Sequence, residues 1–147
     1  DTKYTFNLWR PVTAIQLADQ DGNPNTVADP NWLPLVNTAP HPSWVSAHGD
    51  ISGAASATLA NFFGTDSISF SLTSEDLKGV THSFTSFSAA AAESENSVVW
   101  GGIHFRTADV QGAGLGTKVA NWEQAHYFLP SCGGITPSAC AAANSYA

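Results

Sequence analysis

The amino-acid sequence predicts an all-α fold, a helical bundle whose members are joined by long irregular loops. Alanine-rich stretches with apolar residues at helical spacing recur along the chain, and the text between them is dense in Gly, Pro, Asn and Asp. At 147 residues and 43% hydrophobic content, residues 1–147 read as a single domain large enough to bury a core.

The first helix falls in residues 10–20 (RPVTAIQLADQ), where Val12, Ile15, Leu17 and Ala18 approach helical spacing and Pro11 suits a first turn. Residues 21–42 hold too many turn formers for a regular element. After Ser46, Ile51, Ala54, Ala55, Leu59, Phe62 and Phe63 form an apolar stripe that ends at Gly64, and the many small residues would let a neighbouring helix come close. The alternation in SISFSL (residues 67–72) is too short and isolated to found a sheet. Residues 83–97 and 112–127 are the remaining expected helices.

Charge narrows the function classes. With 12 acidic and 5 basic residues, the formal charge of -7 disfavours nucleic acid and anionic membranes, and no apolar run is long enough to span a bilayer. The absence of Met points to a processed chain or one piece of a longer precursor. Cys132 and Cys140 bracket CGGITPSAC, a loop that a disulfide would close; the bland alternative is two free thiols. A disulfide favours a secreted or vacuolar location.

Three segments carry candidate chemistry. Lys3 and Arg10 in KYTFNLWRP combine a point charge with a planar fork, which suits a tetrahedral oxyanion, or they are simply solvated cations. In PHPSWVSAHGD, Ser46, Ala47 and His48 open a helix where backbone N–H groups, a hydroxyl and an imidazole converge; otherwise Ser46 is a plain N-cap, His48 a first-turn residue and His41 a loop residue. In VVWGGIHFR, His104 follows a glycine pair and is either a working imidazole or a bonded core residue, while Arg106 is free to pair with Asp109.

Together these segments resemble, from Lys3 to about Trp122, the vanadium-dependent haloperoxidases and the related type-2 phosphatidic acid phosphatases. That family's blocks run Lys-x6-Arg-Pro, Pro-Ser-Gly-His and Ser-Arg-x5-His, and here they stand as Lys3 to Pro11, Val45-Ser46-Ala47-His48 and Ser97-Val98-x5-His104. The resemblance implies a helical bundle of the haloperoxidase type with vanadate, or phosphate in its place, as the bound group. Lys3, Arg10, Ser46 and the Ala47 N–H would hold its oxygens, His48 would be the acid-base residue, and His104 would be the axial vanadium ligand or a phosphatase nucleophile. Halide and hydrogen peroxide would be the substrates.

The sequence departs from the family at Val98, where the arginine belongs, and at Ala47, where glycine does. Ala108 holds the position at which phosphatase relatives often carry an aspartate, with Asp109 one further on. Activity reduced or lost is therefore expected, with two alternatives: a non-catalytic storage, defence or carbohydrate-binding protein, or an acid phosphatase using the same pocket. The family also has helices before its lysine block. The resemblance thus implies a C-terminal part completed by a second chain or a homo-oligomer, with apolar helix faces as the interface.

Overall fold

The computed structural model describes residues 2–127; Cys132 and Cys140, with the disulfide expected between them, lie outside the described residues. The architecture is mainly helical. Helices α1 (Thr2–Phe6) and α2 (Pro11–Gln16) precede a 3-10 turn (Ala18–Gln20), and the long helices are α3 (Ala47–Phe63), α4 (Phe87–Trp100) and α5 (Arg106–His126). Among the described residues, none of the helices is long and apolar enough to cross a membrane.

Helix α3 begins and ends where its sequence says it should. Ser46 caps it by accepting from the Gly49 N–H at 3.4 Å, and Gly64 closes it in the left-handed conformation at φ 70°. Its buried face differs from the expected one. Ile51 is 68% exposed and Phe62 78%, whereas the residues buried in the helix are Gly49 and Gly53. They meet α5, whose buried positions Ala108, Gly112, Gly116 and Ala120 recur every four residues. A Cβ at Gly53 would collide with the Ala113 carbonyl and one at Gly116 with the Asp50 carbonyl, so the two backbones touch along a glycine seam. Close backbone approach, with many small contacts, replaces interlocking large side chains here.

The SISFSL stretch does found a sheet, contrary to expectation. Strand β1 (Phe70–Thr73) pairs antiparallel with β2 (Thr81–Phe84), with Phe70 opposite Phe84. Phe70 also packs on Phe87 at a ring-centroid distance of 5.6 Å, which ties the hairpin to the start of α4. The strand accounts for the later start of α4, which Ser86 caps by accepting from the Ala89 N–H. Helix α5 starts six residues earlier than expected, at Arg106, and Ala108 and Asp109 in the added turns are buried where they meet the start of α3.

Candidate oxyanion site

Short backbone devices deliver each side chain of the site. Asn7 takes a positive φ of 47° just after α1 and donates its N–H to the Lys3 carbonyl at 2.9 Å, turning the chain so that Arg10 stands at the N-cap of α2. Pro11 then fills the first helical position, where no N–H is needed. At the other end, Gly102 adopts φ 75°, and the N–H groups of Ile103 and His104 both return to the Val98 carbonyl at 3.0 and 3.2 Å. That turn places His104 between α4 and α5, 5% exposed.

Arg10 is the hub. It is 6% exposed; its guanidinium donates to the Ile103 carbonyl at 2.6 Å, the His41 carbonyl at 2.8 Å, His104 Nε2 at 2.9 Å and His41 Nδ1 at 3.0 Å. A guanidinium has no acceptor, so His104 Nε2 must offer its lone pair. The ring proton then sits on Nδ1, which donates to Ser43 Oγ at 3.1 Å. Burial, followed by the Arg10, Lys3, His48 and His41 charges, pushes the His104 pKa down to about 3, so the imidazole is neutral at ordinary pH.

Lys3 reaches the same loop from the far side and donates to the Pro42 and Ser43 carbonyls at 3.0 and 3.3 Å. Burial and the neighbouring Arg10 lower its pKa, while Asp109 opposes them. Burial also lowers that of Arg10, again against Asp109. Beside this cluster a cavity of about 360 Å³ is lined by Asn7, Leu8, Trp9, Ser43, Trp44, Phe105, Thr107 and Ala108, so Ser43 borders both the cavity and His104.

Lys3, Arg10 and His104 therefore gather around the 41–43 loop. Ser46 lies fully buried at the start of α3, and its N–H donates to the Ala108 carbonyl at 3.0 Å. Ala47 and His48 are exposed on the first turn of α3, with His48 near enough to act electrostatically on His104. Arg106 turns away: it is exposed and bonds Asn96 on α4. Among the described residues the one ion pair is His82–Glu93, so the Arg106–Asp109 bridge does not form.

Three residues of the cluster were not assigned to it from the sequence, where His41 reads as a loop residue and Asp109 as a partner for Arg106. His41 and Ser43 flank Pro42 in the loop that feeds α3, and their proximity to the Ser46 block was the available signal. Asp109 is 0% exposed, and neither carboxylate oxygen has a hydrogen-bond partner; its burial follows from the helix crossing and leaves no local sequence mark. Val98 is 4% exposed, so the position of the family arginine is filled by an apolar side chain packed in the interior.

The chain is similar to known proteins in sequence and fold. Residues 1–129 match the family described as the VCPO second helical-bundle domain, and the chain belongs to the vanadium-dependent haloperoxidase family. It is 38% identical to a bacterial vanadium-dependent iodoperoxidase of known crystal structure, with a TM-score of 0.68 over 82% of this chain and 27% of that one. Apo- and holo-type structures of a bacterial vanadium-dependent chloroperoxidase share the fold at 20% identity and a TM-score of 0.64, again over 82% of this chain. The chain thus spans less than a third of the length of these structures. No curated protein matches it.

Proposed function

We propose that this chain forms the oxyanion-binding part of a vanadium-dependent haloperoxidase that oxidises halide with hydrogen peroxide. The observation that carries the reading is His104: buried, neutral, with its Nε2 lone pair facing the cationic Arg10 and its Nδ1 proton fixed on Ser43. That tautomer is the one in which Nε2 can serve as a ligand, and a hydrogen bond at the other nitrogen sets ring orientation as it does in metal sites generally.

The residues present fit vanadate, because the donors beside the imidazole are Lys and Arg cations, a hydroxyl and a helix N-terminus. Lys3, Arg10, Ser46 and the Ala47 N–H would hold its oxygens, and His104 Nε2 would be the protein ligand to the metal. When bound, vanadate supplies a Lewis-acidic centre that activates peroxide toward halide. For His104 to serve as ligand, the Arg10 guanidinium would have to release Nε2, which would free that N–H for the anion. His48, exposed on the first turn of α3, would be the acid-base residue. Val98 brings no charge, so oxyanion affinity and turnover are expected to be reduced.

The same buried Val98 favours a second reading, a non-catalytic member of the family. Titration with vanadate, followed by an iodide and peroxide oxidation assay, separates the two; iodide comes first because the 38%-identical relative is an iodoperoxidase. Saturable vanadate binding with halide oxidation supports the enzyme. Binding without oxidation supports the second reading, and absence of binding overturns the oxyanion site. Hydrolysis of an aryl phosphate would reassign the pocket to an acid phosphatase. We further assign the exposed Ile51 and Phe62 face of α3, with Tyr4 and Phe6 of α1, as the surface against which the rest of such an enzyme packs, in the same chain or another.

A further inference from the structure

Asp109 has no role in the chemistry described so far, yet it is the largest fully buried side chain of the described residues. Neither carboxylate oxygen has a hydrogen-bond partner, and burying such a group is costly. Its surroundings are those of the oxyanion site. Ser46 and His48 at the start of α3, Arg106 on α5 itself and Arg10 before α2 all act on it; it acts in turn on Lys3 of α1 and Glu95 of α4. Burial raises its pKa, and Ser46 followed by those cations pulls it back.

Ser46 is the link. Its oxygen already accepts from the Gly49 N–H, which leaves a single hydroxyl proton to give. An ionised Asp109 competes for that proton, although the hydroxyl does not complete a bond to it within ordinary limits. A neutral Asp109 is itself a donor, and it would free the Ser46 proton for an anion. The charge balance runs the same way, because a carboxylate buried beside Lys3 and Arg10 cancels part of the field that an anion needs.

We propose that Asp109 couples oxyanion binding to proton uptake, so that an anion enters the Lys3, Arg10 and Ser46 cradle as the Asp109 carboxylate becomes a carboxylic acid. The proton comes from solvent, and no other bond is made or broken. This rests on the oxyanion site of the preceding section, which the test below probes separately.

Sulfate is the suitable probe, being a tetrahedral dianion that does not titrate near neutral pH. Calorimetric titration in buffers of different ionisation enthalpy, from pH 5 to 9, counts the protons taken up per sulfate. Wild type should approach one proton where Asp109 is ionised, with affinity falling about tenfold per pH unit there. Asp109→Asn should lose that proton and that slope. Sulfate bound with equal uptake by both proteins would overturn the coupling and leave the cradle standing, whereas no sulfate bound by either overturns both. Should Asp109→Asn fail to fold, infrared difference spectra of wild type decide: a carboxylic C=O band must appear on adding sulfate, and its absence at every pH overturns the coupling.

Discussion

Lowering the pH should destabilise this fold through one side chain, His104. Its pKa is about 3 in the folded protein against 6.5 for a free imidazole. A histidine shifted downward contributes its full stability above the unfolded value and loses it as pH falls toward the folded one. Each pH unit in that window is worth about 1.4 kcal/mol, so roughly 2 kcal/mol should vanish between pH 6.5 and 5, a large share of a typical domain's stability. Asp109 acts in the opposite sense, because a raised carboxyl pKa adds stability as pH falls. Urea unfolding followed by tryptophan fluorescence on wild type and His104→Gln isolates the histidine, since Asp109 is common to both. The variant should start weaker at pH 7 and lose about 2 kcal/mol less than wild type on going to pH 5. Parallel losses in the two proteins would refute the argument, as would an NMR titration in which His104 protonates near 6.5.

Three further outcomes follow from the geometry. Gly116→Ala forces a Cβ into the Asp50 carbonyl across the α3–α5 seam, and thermal unfolding should show a loss of at least ~1–3 kcal/mol; the same change at Gly114, where a Cβ meets nothing within 4 Å, should be neutral or stabilising. Ser43→Ala leaves the His104 Nδ1–H without its partner, which should cost about 1–3 kcal/mol in urea unfolding and loosen the ring in NMR spectra. Val98→Arg returns the missing charge to the third block, and vanadate affinity should rise by about tenfold or more if the side chain reaches the anion, by the worth of one charge-assisted hydrogen bond. An unchanged affinity in a folded Val98→Arg protein would remove position 98 from the site.

Much of this organisation was legible in the sequence, where local chemistry and tertiary packing agree. Ser46 and Gly64 bound α3 because a serine cap and a left-handed glycine are self-sufficient signals. Lys3, Arg10 and His104 were candidates in the sequence because scarce cations and a post-glycine histidine stand out in an acidic chain, and the fold gathers them around the 41–43 loop. The hairpin was not legible: each strand has four residues, and their pairing depends on Phe70, Phe84 and Phe87 meeting only after folding. The first turns of α5 were missed because Ala108 and Asp109 are buried by the crossing with the start of α3 and not by a local apolar pattern. The buried face of α3 was misjudged for the same reason, since hydrophobicity points at Ile51 and Phe62 while the contact is made where side chains are missing. Ser43 and Asp109 owe their roles to elements more than sixty residues away from their partners.

The glycine seam also acts as a vernier. Gly49 and Gly53 on one rod, and Gly112 and Gly116 on the other, engage at four-residue intervals, so alternative settings of the seam are slides of about 6 Å. Any such slide would carry Ser46 a full turn away from Asp109 and from the peptide of Ala108 that anchors it. The alignment of the proposed anion cradle is therefore graduated by the least bulky residues in the chain, none of which is among those proposed to hold the anion.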